Sequence, residues 1–321
     1  MSLLKQYEKM YFNQSKLVEF IILGFPGSLS LQYVCFLLLL ITYLLTLISN
    51  CVIIIITWTE RRLHTPMYFY LRNLSFLEIC YVSVIVPKIL TTITSNGRYI
   101  SFHGCIIQML FFFFLGSTEC CLFGVMAYDR YLAICHPLRY TTLMNTTMCY
   151  SLSICSVIGG FLTTFPPILL ISQLPFCGSN IINHFFCDSP PILQLSCADT
   201  YLIDKMDFLF ASLVSLLSFS VTLISYFYIF VKVLHIPANS RRKTFSTCSS
   251  HLIVVFIYYS TVIFMYVRPK VSFTFTLNRV VAVFYTVITP ILNPIIYCLR
   301  NEEVKNSIKK QLNTLKNCYI R

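Results

Sequence analysis

Apolar residues fall along this chain in long blocks rather than in alternation, and the blocks set its architecture. They run from Leu31 to Trp58, Met67 to Leu90, Cys105 to Ala127, Met148 to Ile171, Leu202 to Leu234, Thr247 to Val267 and Val280 to Leu299. Each approaches or exceeds the ~20 residues with which an α-helix crosses hydrocarbon. The pattern predicts an all-α membrane protein. A seven-transmembrane helix bundle over residues 31–299 follows an amino-terminal tail of residues 1–30 and precedes a terminal segment of residues 300–321. In that last segment Val304, Ile308, Leu312 and Leu315 recur at helical spacing among lysines, the pattern of a short amphipathic helix on a membrane surface.

Composition points the same way. Of 321 residues 57% are hydrophobic and 11% charged, and the mean hydropathy of +0.74 is outside the range of soluble domains. Most Lys and Arg, including Arg61, Arg62, Arg72, Arg139, Lys232, Arg241, Arg242, Lys243, Lys305 and Lys309, border one side of the spans. Flanking positive charge is retained in the cytoplasm, so the amino terminus is expected outside, in a multi-pass plasma-membrane protein. The net charge of +12 then meets anionic lipid and acidic partners, and nucleic acid is not needed to explain it. Met1 to Phe20 lacks the core of a cleavable signal peptide, which leaves the first span as the insertion signal. Asn13, Gln14 and Ser15 form a glycosylation acceptor on the outer tail. Cys105, Cys177, Cys187 and Cys197 cluster at the outer face, where disulfides persist, and admit three pairings.

Three groups of residues carry chemistry. Asp129 and Arg130 end the third block about 37 Å from Cys105, at ~1.5 Å per helical residue. Burying either charge alone costs several kcal/mol, so the two are expected to hold together. Glu78 and Glu119 lie within the second and third blocks and need a proton, a cation or polar partners; with Asn50 and Asn293 they form a candidate sodium site. The alternative is a pair of protonated acids in a dry core. Met109, Phe112, Phe113, Gly116 and Ser117 share one helix face at spacings of three and four. Six scattered histidines, with no zinc motif, nucleophile elbow or phosphate loop, argue against an enzyme. A transporter would show inverted repeats, which are not evident.

Several stretches together carry a resemblance: LHTPMYFYLRNLSFLE from Leu63, MAYDRYLAICHPLRY from Met126, PFCGSNIINHFFCDSPPILQLSC from Pro175, Ser225 with Tyr226, RKTFSTCSSHL from Arg242 and PILNPIIYCLRN from Pro290. In order and depth they resemble the odorant receptors among the rhodopsin-like G-protein-coupled receptors. Departures are Ser49 before Asn50, and Tyr258, Tyr259 and Ser260 where the family has Phe-Tyr-Gly. The resemblance implies a small-molecule odorant as ligand. Its pocket would comprise Met109, Phe112, Phe113, Gly116 and Ser117, with Phe210, Ala211 and Val214, then Tyr259, Val262, Ile263 and Tyr266, and finally Val283 and Thr286. Phe112 stands where aminergic receptors carry an acid, which favours small, neutral, mostly apolar volatile ligands. Asp207 is expected at the rim or loop. The implied switch is Asp129, Arg130, Tyr131, Tyr226, Asn293, Pro294 and Tyr297, acting on a heterotrimeric stimulatory G protein that raises cyclic AMP. The resemblance also supports the sodium ion, as an allosteric ligand rather than a resident cofactor. The expected disulfides are Cys105–Cys187 and Cys177–Cys197.

Overall fold

A computed structural model describes residues 19–24, 28–94, 98–177, 179–235, 238–266, 281–300 and 303–310; of 238–250, 266, 284–285 and 297–300 it describes the backbone only. Asn13 lies outside the described residues. The predicted seven-transmembrane helix bundle is the fold. Its helices are α1 (Leu29–Thr59), α2 (Pro66–Ile93), α3 (Phe102–Cys135), α4 (Thr146–Ser172), α5 (Tyr201–Leu234), α6 (Ala238–Tyr266) and α7, in which a π-helical turn, Phe284–Ile288, leads into Thr289–Arg300. Helices α1 to α5 are long and apolar enough to span a membrane, and α6 and α7 contribute the shorter apolar stretches His251–Met265 and Val281–Ile296.

Local chemistry sets the helix starts. Ser28 accepts the Leu31 N–H at 3.4 Å, Ser101 that of Gly104 at 3.1 Å and Asn145 that of Met148 at 2.9 Å, each satisfying a donor that the first turn leaves open. Pro66 opens α2, where its missing N–H costs nothing. Helix α3 packs against α2, α4, α5 and α6 and is the axis of the bundle. Its crossing with α4 depends on Gly160, where a Cβ would lie 2.9 Å from the Thr118 nitrogen and 3.1 Å from the Phe114 carbonyl oxygen. Small residues permit such approaches between membrane helices.

Within the described residues, the terminal amphipathic stripe packs on protein at Val304 and Ile308. In helix 303–310, Val304 is fully buried among Ile53, Ile56, Leu63, Tyr68 and Leu71, with Ile308 alongside. The Tyr68 hydroxyl donates to Glu303 at 2.8 Å, and Lys310 pairs with Glu60 at 3.1 Å. Leu312 and Leu315 fall outside the described residues.

At the disulfide-bearing end, part of the tail is built into a roof. Strand β1 (Glu19–Ile22) pairs antiparallel with β2 (Tyr99–Ser101) and parallel with β3 (Ile181–Ile182). Phe20 and Ile22 are fully buried, and the Phe20 ring meets Phe102 and Phe176 at 6.0 and 5.6 Å. Gly24 follows at φ +70°, a conformation that favours glycine, and its N–H donates to the His184 carbonyl at 3.1 Å. Cys105 bonds to Cys187 and Cys177 to Cys197, so the roof is fastened covalently to α3 and folded on itself. Asp188 caps the short helix Ser189–Leu193, and the Ser189 hydroxyl donates to Asp207 of α5. Asp207 thus faces the loop, as the sequence suggested.

Asp188 is 2% exposed. Burial pushes its carboxyl up to about 7; the Ser189 N–H opposes this and the neighbouring Asp207 adds to it.

Two outcomes are expected. Gly160→Ala pushes α4 away from Thr118 and Phe114 of α3, costing about 1–3 kcal/mol, and should lower the melting temperature of the purified protein; an unchanged value contradicts the close crossing. Because the folded-state pKa of Asp188 is raised, its proton-linked stabilisation is complete below about pH 4 and is lost as pH rises through about 7. The melting temperature of the wild type should therefore fall between pH 5.5 and 8 more steeply than that of Asp188→Asn, and equal slopes contradict the assignment.

Candidate functional site

Below the roof, the α3 face named above is buried in steps. Met109 is fully buried among Cys105, Cys187, Ile168, Ile171 and Ile203, against the roof itself. Phe112, one turn on, is caged by the rings of Tyr81 at 5.4 Å, Phe113 at 5.0 Å and Phe186 at 4.9 Å, with Ala282 and Val287 of α7 in the same cluster. Gly116 and Ser117 are half-buried. On α5, Val214 is buried in a cluster shared with Cys120 and Tyr259, and Phe210 and Ala211 are half-buried. Val262 and Ile263 of α6 pack on that cluster, and Val283 of α7 packs on the one around Phe112. The side chain of Tyr266 is outside the description.

Two hydroxyls expected to face a ligand have donated their protons elsewhere. Tyr259, 1% exposed, donates to the Cys120 carbonyl at 3.1 Å and also pairs with Ser218, joining α6 to α3 and α5. Thr286 donates to the Ala282 carbonyl of its own helix at 2.6 Å. An apolar interior offers no water to a buried donor, so each has turned to the nearest oxygen. The adjacent Tyr258 donates to the Gly116 carbonyl at 2.7 Å, a second α6–α3 tie that periodicity did not single out. Sequence reasoning also passed over Tyr81, Phe185 and Phe186; the aromatic pair directly before the bridging Cys187 was the available signal.

Deeper in the bundle, Glu78, Glu119, Asn50 and Asn293 are all buried. The Asn293 amide donates to Glu78, Glu119 is within hydrogen-bonding reach of both, and the Asn50 amide donates to the Thr46 carbonyl at 3.0 Å. That leaves Asn50 Oδ1, Glu78 Oε2, Glu119 Oε1 and Asn293 Oδ1 buried with no donor among the described residues.

At the far end of α3, Arg130 donates to Asp129 Oδ2 from Nε at 3.0 Å and from Nη2, and the Tyr140 hydroxyl donates to Asp129 Oδ1 at 2.7 Å. Both oxygens of a side chain that is 1% exposed are thereby given partners, as burial of a polar group requires. Tyr140 stands on the short helix Pro137–Leu143 and was missed because its role depends on the chain folding back. Tyr131 turns away, to His136 at 3.0 Å. Tyr226 of α5 pairs with His251 Nδ1 of α6 at 2.7 Å, their rings stacked at 5.7 Å, close enough to Arg130 to feel its charge. Pro294 interrupts α7 beside Asn293; of Tyr297 only the backbone is described.

A family model described as "Olfactory receptor" matches residues 39–315. Olfactory receptor 6B1 of Homo sapiens is 49% identical over 93% of this chain and 96% of its own length, and olfactory receptor 6B9 of Mus musculus 47% identical over 94% and 95%. Squid rhodopsin shares the fold, with a TM-score of 0.69 at 14% identity over 92% of this chain and 89% of that one. This chain belongs to the olfactory receptor family of G-protein-coupled receptors, membrane signalling proteins rather than enzymes.

Proposed function

We propose that this receptor sits in the plasma membrane with its amino terminus outside, binds small, neutral, mostly apolar volatile molecules against α3, and activates a stimulatory G protein that raises cyclic AMP. The observation that carries the ligand class is the cage around Phe112: three neutral aromatic rings under a closed roof. Such a surface rewards apolar area at about 0.8 kcal/mol per buried methylene, and one hydrogen bond, from Ser117, adds about 0.5–1.5 kcal/mol. Weak, broad recognition follows. Orientation rests on the basic flanks of the spans and on the two disulfides, which belong to an oxidising compartment.

The route from ligand to G protein runs along α6. Tyr258 and Tyr259 fasten α6 to the α3 carbonyls of Gly116 and Cys120, on the turns next to the ligand face. A ligand that displaces either tie tilts α6, and with it His251, off Tyr226. Tyr226 is then free to receive Arg130, which leaves Asp129, and the inner ends of α5 and α6 separate. Pro294 removes one backbone hydrogen bond from α7 and eases its adjustment.

The four donorless oxygens at Asn50, Glu78, Glu119 and Asn293 suit a hard cation such as sodium. A bound sodium ion would supply the positive charge that the two carboxylates lack. These residues draw α1, α2, α3 and α7 together, so occupancy favours the resting bundle.

Cells expressing this chain with an olfactory stimulatory G protein should raise cyclic AMP to part of a panel of neutral odorants. Arg130→Ala should abolish the response at unchanged surface expression; an equal response would remove Arg130 from the switch. Tyr140→Phe deletes a bond of about 1 kcal/mol that holds Asp129, and basal cyclic AMP should rise about fivefold; an unchanged baseline contradicts the restraint. Replacing external choline with sodium should shift the wild-type concentration–response curve to higher ligand and leave Glu119→Gln unmoved. The same shift in both would exclude this sodium site.

A further inference from the structure

Gln108 lies one helical turn from Cys105 on α3 and is 7% exposed. Its two amide atoms serve two different segments. Oε1 accepts the backbone N–H of Cys187 in the roof at 3.1 Å, and Nε2 donates to the Val84 carbonyl of α2 at 3.0 Å. The α2 partner lies in the turn before Pro87, which has no N–H to return to the Ser83 carbonyl next to Val84. Gln108 thus brings a donor to the turn of α2 that Pro87 leaves one hydrogen bond short.

The contact to Cys187 has a geometric consequence. A disulfide alone joins loop and helix at one point and leaves the loop free to swivel about its torsions. The Gln108–Cys187 bond adds a second point one turn away on the same helix, and two points on one helix remove the swivel. The peptide plane between Phe186 and Cys187 is then fixed, and with it the direction in which Phe186 leaves the chain. Phe186 is fully buried, 4.9 Å from Phe112 and 5.2 Å from Phe185. The β1–β3 pairing and the Gly24–His184 bond hold the loop from above, and this amide holds from below the residue through which the roof's aromatic side chain meets the ring at the centre of the candidate ligand site.

We infer that Gln108 is a positioning residue for specificity: it holds Phe186 against Phe112 and thereby sets which apolar shapes the receptor accepts. This rests on the ligand site proposed above. Gln108 touches roof and helix, and acts on the ligand through Phe186. A purely structural Gln108 would alter how much receptor folds; a positioning one alters the order in which ligands are preferred.

The test is a cyclic AMP panel of neutral ligands differing in length and aromaticity, normalised to surface expression, on wild type, Gln108→Met, Gln108→Glu, Phe186→Leu and the double variant Gln108→Met with Phe186→Leu. Gln108→Met should change the ratio of half-maximal concentrations between ligands at least fivefold, in the same direction as Phe186→Leu, and the double variant should show no further change. Gln108→Glu keeps an acceptor for Cys187 and, when protonated, a donor for Val84, and should restore the wild-type order. A uniform loss for every ligand, or additive changes in the double variant, overturns the inference. Hydrogen exchange on the wild type gives a variant-free check: the Cys187 amide should exchange far more slowly than that of exposed Asp199, and equal rates overturn the bond. Silence of the wild type to the whole panel would count against the ligand site itself, with the Cys187 amide still deciding whether Gln108 fastens the roof.

Discussion

Hydrocarbon supplies no hydrogen-bond partner, and the rest of this bundle follows from that. Many hydroxyls turn back to a carbonyl of their own helix, and among the described bonds between helices the partners are mostly on α3. Tyr258 and Tyr259 reach its carbonyls from α6, Ser218 does so from α5, and Glu119 meets Glu78 and Asn293 from α2 and α7. Where α3 is not the partner the logic is the same: Asn73 of α2 reaches Ser153 of α4 at 3.1 Å. Such ties are worth about 1 kcal/mol each, enough to fix geometry and weak enough to exchange. Close packing at Gly160 and Gly124, where α4 and α5 come nearly to backbone contact with α3, does the remaining work.

The two ends of α3 are held by different means. At one end two disulfides, a three-stranded sheet and the buried Phe20 and Ile22 form a roof that cannot be shed without covalent change or loss of core. At the other, the restraints are an ion pair, a tyrosine hydroxyl and a tyrosine–histidine contact, each of which can be traded for another. Under the function proposed above, a molecule wedged beneath a fixed roof would displace the helices at the end that is free to rearrange.

Much of this was legible from the residues, for identifiable reasons. Spans were visible because twenty apolar residues have few other uses, but their ends were placed short. Helix α3 runs past Ala127 to Cys135 because Asp129 and Arg130 neutralise each other, and α6 begins at Ala238 rather than Thr247 in a stretch too polar for an apolar-run criterion. Strand β1 was invisible: four residues are too few for a pattern, and its partners lie far along the chain. The period of Val304 and Ile308 was legible, whereas the surface they meet was not, since periodicity fixes a face and says nothing of its neighbour. The α3 face stood out for the same reason, and Gln108, Tyr140 and His251 did not, because each acquires its role from a partner that only folding brings near.

The central claim is that a ligand at the roofed end of α3 separates α6 from α3 at the other. It is tested most directly by a spin-label distance measurement on the purified receptor in lipid nanodiscs, between exposed Leu138, just beyond α3, and the Ala238 end of α6, with and without an activating odorant. The account requires a longer distance with ligand, and the same lengthening without ligand when Asp129 is replaced by Asn. A distance unchanged by a ligand that raises cyclic AMP through this receptor would contradict it.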